Sequence, residues 1–370
     1  MIRKFTNVIE WQLLKNDFYK EMNKSCRKDL LINKKSEHND IIYYYMDSII
    51  SILKKFLNVK HVILTQNGTQ SLMVSLKGLG IGDGDEVITS PYSFIASANA
   101  IKLVGAEPVF VDIKKDTWNI DENKIEEKIT NKTKAIMSVD WFGNPCNYDK
   151  ILEIAKKYNL KVIDDACQAF TAIYHGEKIG NIADITCFSF SNDKSFGNFG
   201  RGGAIVTNDD NLAPILNAMA DHGTNNNNEY VMVGDNGFWE YMEYIYFYVK
   251  LKYLYNNLSF RNNIARVYKQ MKNIIYQKQE YNSISSWCRF QVMFLNKKSE
   301  EIAKRFFELD YLYLKDIPNN SYYNSYRKDT LISKNISERC IGLPIYPFID
   351  FNLVKSSVDK YNEAIIEGKL

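Results

Sequence analysis

The segment SFSNDKSFGNFGRGGAIVT, residues 189–207, places a single lysine between two strand-like apolar runs. Lys194 follows the run that ends at Phe190, and four glycines occupy the next nine positions before the apolar pattern resumes at Ala204. A solvated loop lysine requires no such surroundings, whereas glycines allow the backbone to approach a bound group closely. Simple turn geometry is the other explanation for these glycines, so the meaning of Lys194 depends on the rest of the chain.

The composition of the 370-residue chain is that of an ordinary globular protein, with 45% hydrophobic and 25% charged residues. Disorder of the whole chain is therefore excluded. A net charge of +3, with lysines spread along the chain, does not indicate nucleic-acid binding. The six cysteines lie far apart without a CxxC pair, so we expect a reduced, cytoplasmic protein without a metal site. We also expect no signal peptide and no membrane span, since no apolar stretch has the required length.

Strand-like and helix-like segments alternate up to about residue 207. Short apolar runs such as HVILT (61–65) and LKVIDD (160–165) are separated by amphipathic segments and short connections. This alternation predicts an α/β fold with three layers, in which helices cover both faces of a mostly parallel sheet. We expect this large domain to span residues 1–215 and a smaller C-terminal α+β domain to span residues 216–370.

A tyrosine-rich segment near residues 238–281 lies within the expected smaller domain. Its first part, FWEYMEYIYFYVKLKYLY (238–255), has helical apolar spacing. We interpret the segment as a helical insert that packs on the small domain or on a dimer partner. A lid over the substrate is the alternative interpretation.

Ligands of open parallel sheets bind beyond the carboxyl ends of the strands. The residues that follow four of the predicted strands include Asn67 to Thr69, Phe94, Asp165 with Gln168, and Ser189 with Lys194. Taken singly, a helix cap, a core aromatic residue or a solvated lysine explains each of them. Together they supply a phosphate-binding helix start, a stacking ring, a carboxylate and a lysine, which are the groups that hold pyridoxal phosphate.

From about residue 61 to residue 210, the sequence resembles the DegT/DnrJ/EryC1/StrS family of pyridoxal-phosphate-dependent sugar aminotransferases of fold-type I. Several blocks are similar to the blocks of that family and stand in the same order. They are NGTQSL (67–72), LGIGDGDEVITSPYSFIASANAI (79–101), GAEPVFVDI (105–113), FGNP (142–145), VIDDACQA (162–169) and CFSFSNDK with GRGGAIVTND (187–209).

The resemblance implies roles for particular residues. Lys194 would form a Schiff base with pyridoxal 5′-phosphate and then act as general base and acid, while Asp165 would hold the pyridine nitrogen. The remaining cofactor-binding roles fall on Gln168 (ring hydroxyl), Phe94 (stacking on the ring), and Thr69, Gln70 and Ser189 (phosphate). Asn282, in YNSIS, is similar to an asparagine that family members contribute from a second subunit, which implies a homodimer with shared active sites.

The implied reaction transfers an amino group from L-glutamate, through pyridoxamine phosphate, to a nucleotide-linked keto-deoxy-sugar for amino-sugar biosynthesis. Two departures bear on substrate preference: Arg201 stands where the family commonly has glutamate, and Asp140 and Trp141 stand where a histidine is common.

The sequence also suggests three alternatives to this reaction. One is a sugar dehydratase of the same family, in which a histidine replaces the lysine. Another is a regulatory or catalytically degraded protein that still binds the cofactor. A dinucleotide-dependent oxidoreductase is disfavoured, because no GxGxxG motif follows the first strand.

Overall fold

A large sheet forms the centre of the protein. The computed structural model describes residues 7–31, 37–311, 316–347 and 349–368. Nine strands lie between residues 61 and 207: β1 (His61–Thr65), β2 (Glu86–Thr89), β3 (Glu107–Phe110), β4 (Thr133–Val139), β5 (Lys161–Asp165), β6 (Ile173–Tyr174), β7 (Glu177–Lys178), β8 (Ile185–Ser189) and β9 (Gly203–Thr207). Seven of them form the sheet in the order β1-β9-β8-β5-β4-β2-β3. Every pairing in it is parallel except those made by β9.

Helices cover both faces of this sheet. They are α1 (Asn7–Leu31), α2 (Glu37–Leu57), α3 (Gly68–Gly78), α4 (Ala96–Leu103), α5 (Tyr148–Tyr158) and α6 (Leu212–Ala220). Because successive strand residues point to opposite faces, Val162 belongs to the hydrophobic cluster that contains α2 and α5, whereas Ile163 belongs to the cluster of α3 and α6. The expected three-layer α/β/α architecture is confirmed.

The C-terminal third begins with two consecutive helices, α7 (Tyr241–Leu251) and α8 (Leu254–Tyr268). The strands and α-helices that follow are, in chain order, β10 (Ile274–Tyr276), β11 (Ser283–Ile284), β12 (Phe290–Phe294), α9 (Lys297–Ala303), α10 (Leu331–Arg339), β13 (Ile341–Leu343) and α11 (Phe351–Glu367). Strands β10, β12 and β13 form an antiparallel sheet, and β11 pairs with β6. Helices α8, α9 and α11 share with this antiparallel sheet a hydrophobic cluster that is separate from the clusters of the large sheet.

The packing of α7 differs from the expectation for the tyrosine-rich insert. Residues Tyr244 to Phe247 are buried in the cluster of the large sheet, and α7 packs against α1 and α2. The second helix, α8, contributes Ile264 and Tyr268 to the cluster of the smaller unit. The physical reason is that α7 is apolar around most of its circumference, so it needs cover from the N-terminal helices as well as from the sheet. The division at residue 215 stays a prediction.

Candidate active site

One cavity of about 830 Å³ lies at the carboxyl ends of the parallel strands. It is lined by most of the residues that the sequence selected: Thr69, Gln70, Phe94, Asp165, Gln168, Ser189 and Lys194. Asn282 is not among its lining residues. That residue precedes β11, where its carbonyl accepts a hydrogen bond of 2.9 Å from the backbone N–H of His175.

The start of α3 forms one end of the cavity. Asn67, in an extended conformation, caps the helix, because its side chain accepts a hydrogen bond of 3.0 Å from the backbone N–H of Gln70. A Cβ atom on Gly68 would lie 2.6 Å from Sγ of Cys167 and 2.8 Å from Cβ of Ser189. Only glycine therefore lets the helix start lie so close to the end of β8. A helix start and a serine hydroxyl side by side form a binding site for a phosphate.

Gln70 contributes differently from its implied role. Its backbone N–H is engaged by the Asn67 cap, so it is not available to a phosphate in this arrangement. The side chain of Gln70 donates instead to the Asp235 carboxylate at 2.9 Å and accepts from the backbone N–H of Gln66 at 2.7 Å. Gln70 thereby connects α3 to the segment that precedes α7, and Asp235 joins the cavity lining.

Asp165 lies at the end of β5 and is 5% exposed. Its Oδ2 accepts a hydrogen bond of 2.6 Å from the hydroxyl of Ser97, and its Oδ1 accepts one of 3.3 Å from the backbone N–H of Cys167. Two donors on one buried carboxylate fix its orientation and stabilise its charge. Such a carboxylate is suited to pairing with a cationic ring nitrogen in the cavity.

Two further buried acids adjoin Asp165. Asp140 lines the cavity, and its Oδ1 accepts hydrogen bonds from the Cys146 backbone at 2.8 Å and from the Tyr148 hydroxyl at 2.9 Å. Its Oδ2 has no hydrogen-bond partner among the residues the structure describes. Burial, with a smaller contribution from the charge of Asp165, raises the pKa of Asp140 to about 7. Burial and then the charge of Asp140 raise the pKa of Asp164 well above its usual range.

Lys194 reaches the cavity from a tight loop after β8. Its side chain is 14% exposed, and Nζ lies 3.9 Å from the Asp193 carboxylate. The Lys194 backbone N–H donates to the Ser191 carbonyl at 2.9 Å, which closes the turn. A Cβ atom on Gly197 would lie 2.5 Å from the same carbonyl oxygen, so glycine is needed for the turn to close. Turn geometry therefore accounts for Gly197, and close approach of the loop backbone to a bound group stays a prediction.

Phe94 and Gln168 line the same cavity but differ in exposure to solvent. The Phe94 ring is 51% exposed, so one of its faces is available to a ligand. Gln168 is buried, and its Oε1 accepts a hydrogen bond of 2.9 Å from the backbone N–H of Phe142. That bond orients the amide so that its NH₂ group is the part left to donate to a ligand.

Sequence reasoning missed three residues of the site. Ser97 orients Asp165 from α4, within a block that matches the family, so its position in that block was an available signal. Asp235 and Arg289 line the cavity from the C-terminal third, where the sequence carries no recognisable motif. Arg289 forms ion pairs with Asp193 at 3.4 Å and with Asp310 at 3.3 Å, and so joins the lysine loop to the smaller unit.

Relatives of known name share most of this chain. It is 32% identical over 308 residues to the UDP-2-acetamido-2-deoxy-3-oxo-D-glucuronate aminotransferase of Pseudomonas aeruginosa, covering 82% of this chain and 86% of that protein. It is 35% identical over 313 residues to the dTDP-3-amino-3,6-dideoxy-alpha-D-galactopyranose transaminase of Aneurinibacillus thermoaerophilus, covering 83% and 86%.

Solved structures share the fold along nearly the whole chain. The Bacillus subtilis protein NtdA with bound cofactor PMP superposes with a TM-score of 0.75 at 25% identity, covering 94% of this chain and 82% of that one. The DesV protein of S. venezuelae superposes with a TM-score of 0.86 at 23% identity, covering 98% of both chains. The model of the DegT/DnrJ/EryC1/StrS aminotransferase family matches residues 36–360. The resemblance seen in the sequence is confirmed: this chain belongs to the DegT/DnrJ/EryC1/StrS aminotransferase family.

Proposed function

We propose that this protein binds pyridoxal 5′-phosphate and transfers the amino group of L-glutamate to a nucleotide-linked keto-deoxy-sugar. The observation that carries the proposal is the shared cavity, in which Lys194 and the doubly hydrogen-bonded Asp165 line the same space beside a capped helix start. The cofactor, when bound, supplies an aldehyde that attaches to an amine and a ring that accepts electrons from the substrate carbon.

The end of the cavity at the start of α3 fits the phosphate of pyridoxal phosphate. The Thr69 backbone and the Ser189 hydroxyl line the cavity at the start of α3, where first-turn N–H groups lack intrahelical partners. The Ser189 hydroxyl lies 3.3 Å from the hydroxyl of Ser191, and the Ser191 backbone N–H donates to it at 3.4 Å. Because Ser189 accepts from the Ser191 N–H, its own hydroxyl hydrogen would be available to donate to an anion. The close packing of Gly68 leaves no room for a side chain between helix and strand.

The part of the cavity lined by Phe94, Asp165 and Gln168 fits the pyridine ring of the cofactor. Asp165 would hold the proton of the ring nitrogen, because a buried anion fixed by Ser97 stabilises a cation beside it. Phe94 would stack on the exposed ring face, and the Gln168 NH₂ group would donate to the ring hydroxyl. These residues lie after β2 and β5, separate strands of one rigid sheet, so the sheet itself orients the ring.

Lys194 would do the proton transfer. Its amine is mostly shielded from water and is the flexible cationic group after β8, so it can bind the cofactor aldehyde and later serve the reacting carbons. In this scheme the amine would take a proton from the donor carbon, hold it, and return it to the cofactor carbon, and water would release the donor as its 2-oxo acid. The same proton transfers in reverse order would accompany passage of the amino group to the keto-sugar carbon, whose oxygen leaves as water.

The substrate class rests on the relatives. Two of those that cover most of this chain carry names that refer to a UDP-linked and a dTDP-linked sugar, and a third, from Escherichia coli O157:H7, is a GDP-perosamine synthase at 33% identity. Their common feature is a sugar joined to a nucleotide, and three different nucleotides occur among them. We therefore extend to this chain the nucleotide-linked keto-sugar and not any particular nucleotide.

The subunit assembly and the cellular location of the protein are also proposed. We infer a cytoplasmic homodimer in which Asn282 of each subunit contributes to the site of the other. In support, Asn282 does not line the cavity of its own chain. The cysteines whose side chains the structure describes are all free, which is typical of a reducing compartment. Within the described ranges, no helix is long and apolar enough to cross a bilayer.

The experiment that tests the proposal follows the cofactor and then the amino group. Purified protein supplied with pyridoxal phosphate should be yellow, borohydride should fix the cofactor to Lys194, and glutamate should bleach the colour. Turnover is then measured with a panel of nucleotide-linked keto-sugars. A Lys194→Ala variant should stay folded but acquire no covalent label. A label on another amine, or full turnover by the variant, would refute the role of Lys194. Stable colour with glutamate would instead favour a regulatory or degraded protein.

A further inference from the structure

The loop that carries Lys194 is held from outside by helices α7 and α8. Lys250, near the end of α7 and 3% exposed, donates a hydrogen bond of 2.5 Å from Nζ to the carbonyl of Gly197. Its ammonium also lies 5.0 Å from the centre of the Phe196 ring. Burial of a lysine is costly unless its donors are satisfied, so a buried ammonium directed at a loop carbonyl is a specific arrangement.

Asn257, in the first turn of α8, holds the same loop from a second helix. Its Nδ2 donates at 3.2 Å to the carbonyl of Ser195, the residue immediately after Lys194. Its Oδ1 accepts from Nε of Arg261 at 3.1 Å, and Arg261 Nη1 donates to the carbonyls of Trp287 at 2.9 Å and Ile345 at 3.2 Å. The Asn257 amide therefore links the lysine loop to Arg261, and Arg261 in turn binds two backbone carbonyls of the smaller unit.

A third bond comes from the start of α7. Oε1 of Glu243 accepts a hydrogen bond of 2.8 Å from the backbone N–H of Arg201, at the far end of the loop. A Cβ atom on Gly200 would lie 2.6 Å from this oxygen, so glycine is required for the contact. The loop is therefore bound at Ser195, Gly197 and Arg201 by three side chains from the tyrosine-rich segment.

We propose that Lys250 and Asn257 are positioning residues for the reaction: they fix the loop so that the amine of Lys194 reaches the cofactor carbon. The inference rests on the proposed function, because it assigns a purpose to contacts around the lysine of that site. A loop with four glycines in nine positions has little intrinsic rigidity. Hydrogen bonds within the loop close its turns, and the bonds from α7 and α8 fix its position relative to the sheet. A displacement of the reacting amine by about 1 Å is enough to lower a rate constant about a hundredfold.

The test compares variants that remove a donor without removing bulk. Lys250→Met deletes the ammonium, Lys250→Arg restores a cationic donor, and Asn257→Asp replaces the amide donor facing Ser195 with a carboxylate while keeping a partner for Arg261. Tyr268→Phe is the matched control, because it removes a buried hydrogen bond of 2.7 Å from α8 to the carbonyl of Pro344, away from the loop.

Three measurements are made on each full-length variant loaded with pyridoxal phosphate. They are the fraction of chains labelled at Lys194 after borohydride, the pH midpoint of the visible absorbance, and kcat with KM for the keto-sugar. We expect Lys250→Met and Asn257→Asp to show a smaller labelled fraction and a shifted midpoint, and to lose about ten- to a hundredfold in kcat with little change in KM. Lys250→Arg should recover part of the loss, and Tyr268→Phe should behave as the original protein does.

Several outcomes would overturn the inference. Folded Lys250→Met or Asn257→Asp protein with the original label fraction, midpoint and kcat would do so. So would losses no larger than those of Tyr268→Phe at an equal melting temperature. If Lys250→Met does not fold, the inference is tested by the label fraction, midpoint and kcat of Asn257→Asp alone. If the unmodified protein takes no label at Lys194, the proposed function fails, and that result is separate from any difference between variants.

Discussion

The hydroxyl of Ser97 donates a hydrogen bond of 2.6 Å to Oδ2 of Asp165. Ser97 lies in the first turns of α4, and its own oxygen lies 2.6 Å from the hydroxyl of Ser93. The orientation of the key carboxylate is thus set by a helix that follows a different strand from the one that carries the acid.

Ser97→Ala should weaken cofactor binding. Hydrogen bonds to a charged group contribute about 1.5–3 kcal/mol, so we expect an affinity for pyridoxal phosphate that is about ten- to a hundredfold weaker and a similar loss in kcat. Titration of cofactor-free protein by absorbance measures the first effect. Ser75→Ala is the matched control, because Ser75 is also a fully buried serine but lies in α3 beside Cys187, outside the cavity lining. Equal losses in both variants would contradict the assignment.

Asp140→Asn should change how stability depends on pH. Burial raises the pKa of Asp140 to about 7 from an ordinary value near 4. Between these values the folded protein binds more protons than the unfolded chain, so this residue makes stability fall as pH rises from about 4 to about 7. Asparagine keeps an oxygen for Cys146 and Tyr148 but cannot ionise. About three pKa units correspond to about 4 kcal/mol, so we expect the variant to be more stable than the original by on the order of 4 kcal/mol at pH 8.

Thermal unfolding of cofactor-free protein at several pH values between 4 and 8 measures this difference. At pH 4 the two proteins should be close in stability, because the folded acid is then protonated and the unfolded acid, near its ordinary pKa, is about half protonated. A stability difference that does not grow with pH would show that the Asp140 carboxyl is not the titrating group.

Gly68→Ala should disturb the phosphate end of the cavity. The new methyl group would meet Cys167 and Ser189 at 2.6 and 2.8 Å, and the overpacking should cost about 1–3 kcal/mol of stability and weaken cofactor binding. Gly82→Ala is the control, because the nearest atom to its added Cβ lies at 3.4 Å. Combining Gly68→Ala with Cys167→Ala should restore part of the lost stability. No restoration would mean that the contact with Ser189 dominates.

Arg201→Glu should affect substrate binding more than folding. Arg201 is exposed and lines the cavity, so its charge can act on a substrate phosphate or carboxylate at little cost to stability. We expect KM for an anionic substrate to rise about three- to tenfold with kcat nearly unchanged. Lys115→Glu, an equal charge change at an exposed residue outside the lining, should leave KM as it was. A loss of kcat alone would assign Arg201 to the loop and not to substrate binding.

The sequence by itself determined the sheet and much of the site. Continuous apolar runs such as HVILT (61–65) predict strands that are buried on both faces. Residues at or just after a strand end are local in sequence, so Asp165, Ser189 and Lys194 could be selected as candidates before any coordinates. The glycines after Lys194 indicated a tight turn for the same reason, because the residues that form this turn all lie within one short segment of the sequence.

Only the tertiary structure decided which distant residues complete the site. Asp235, Arg289, Lys250 and Asn257 act on the cavity or on its loop from the C-terminal third, where no spacing rule connects them to Lys194. The packing of α7 on the N-terminal helices brings Lys250 and Glu243 to the lysine loop, and that packing depends on which apolar surfaces remain uncovered by the rest of the chain. Local pattern specifies each element, whereas the contacts between elements follow from burial in the whole molecule.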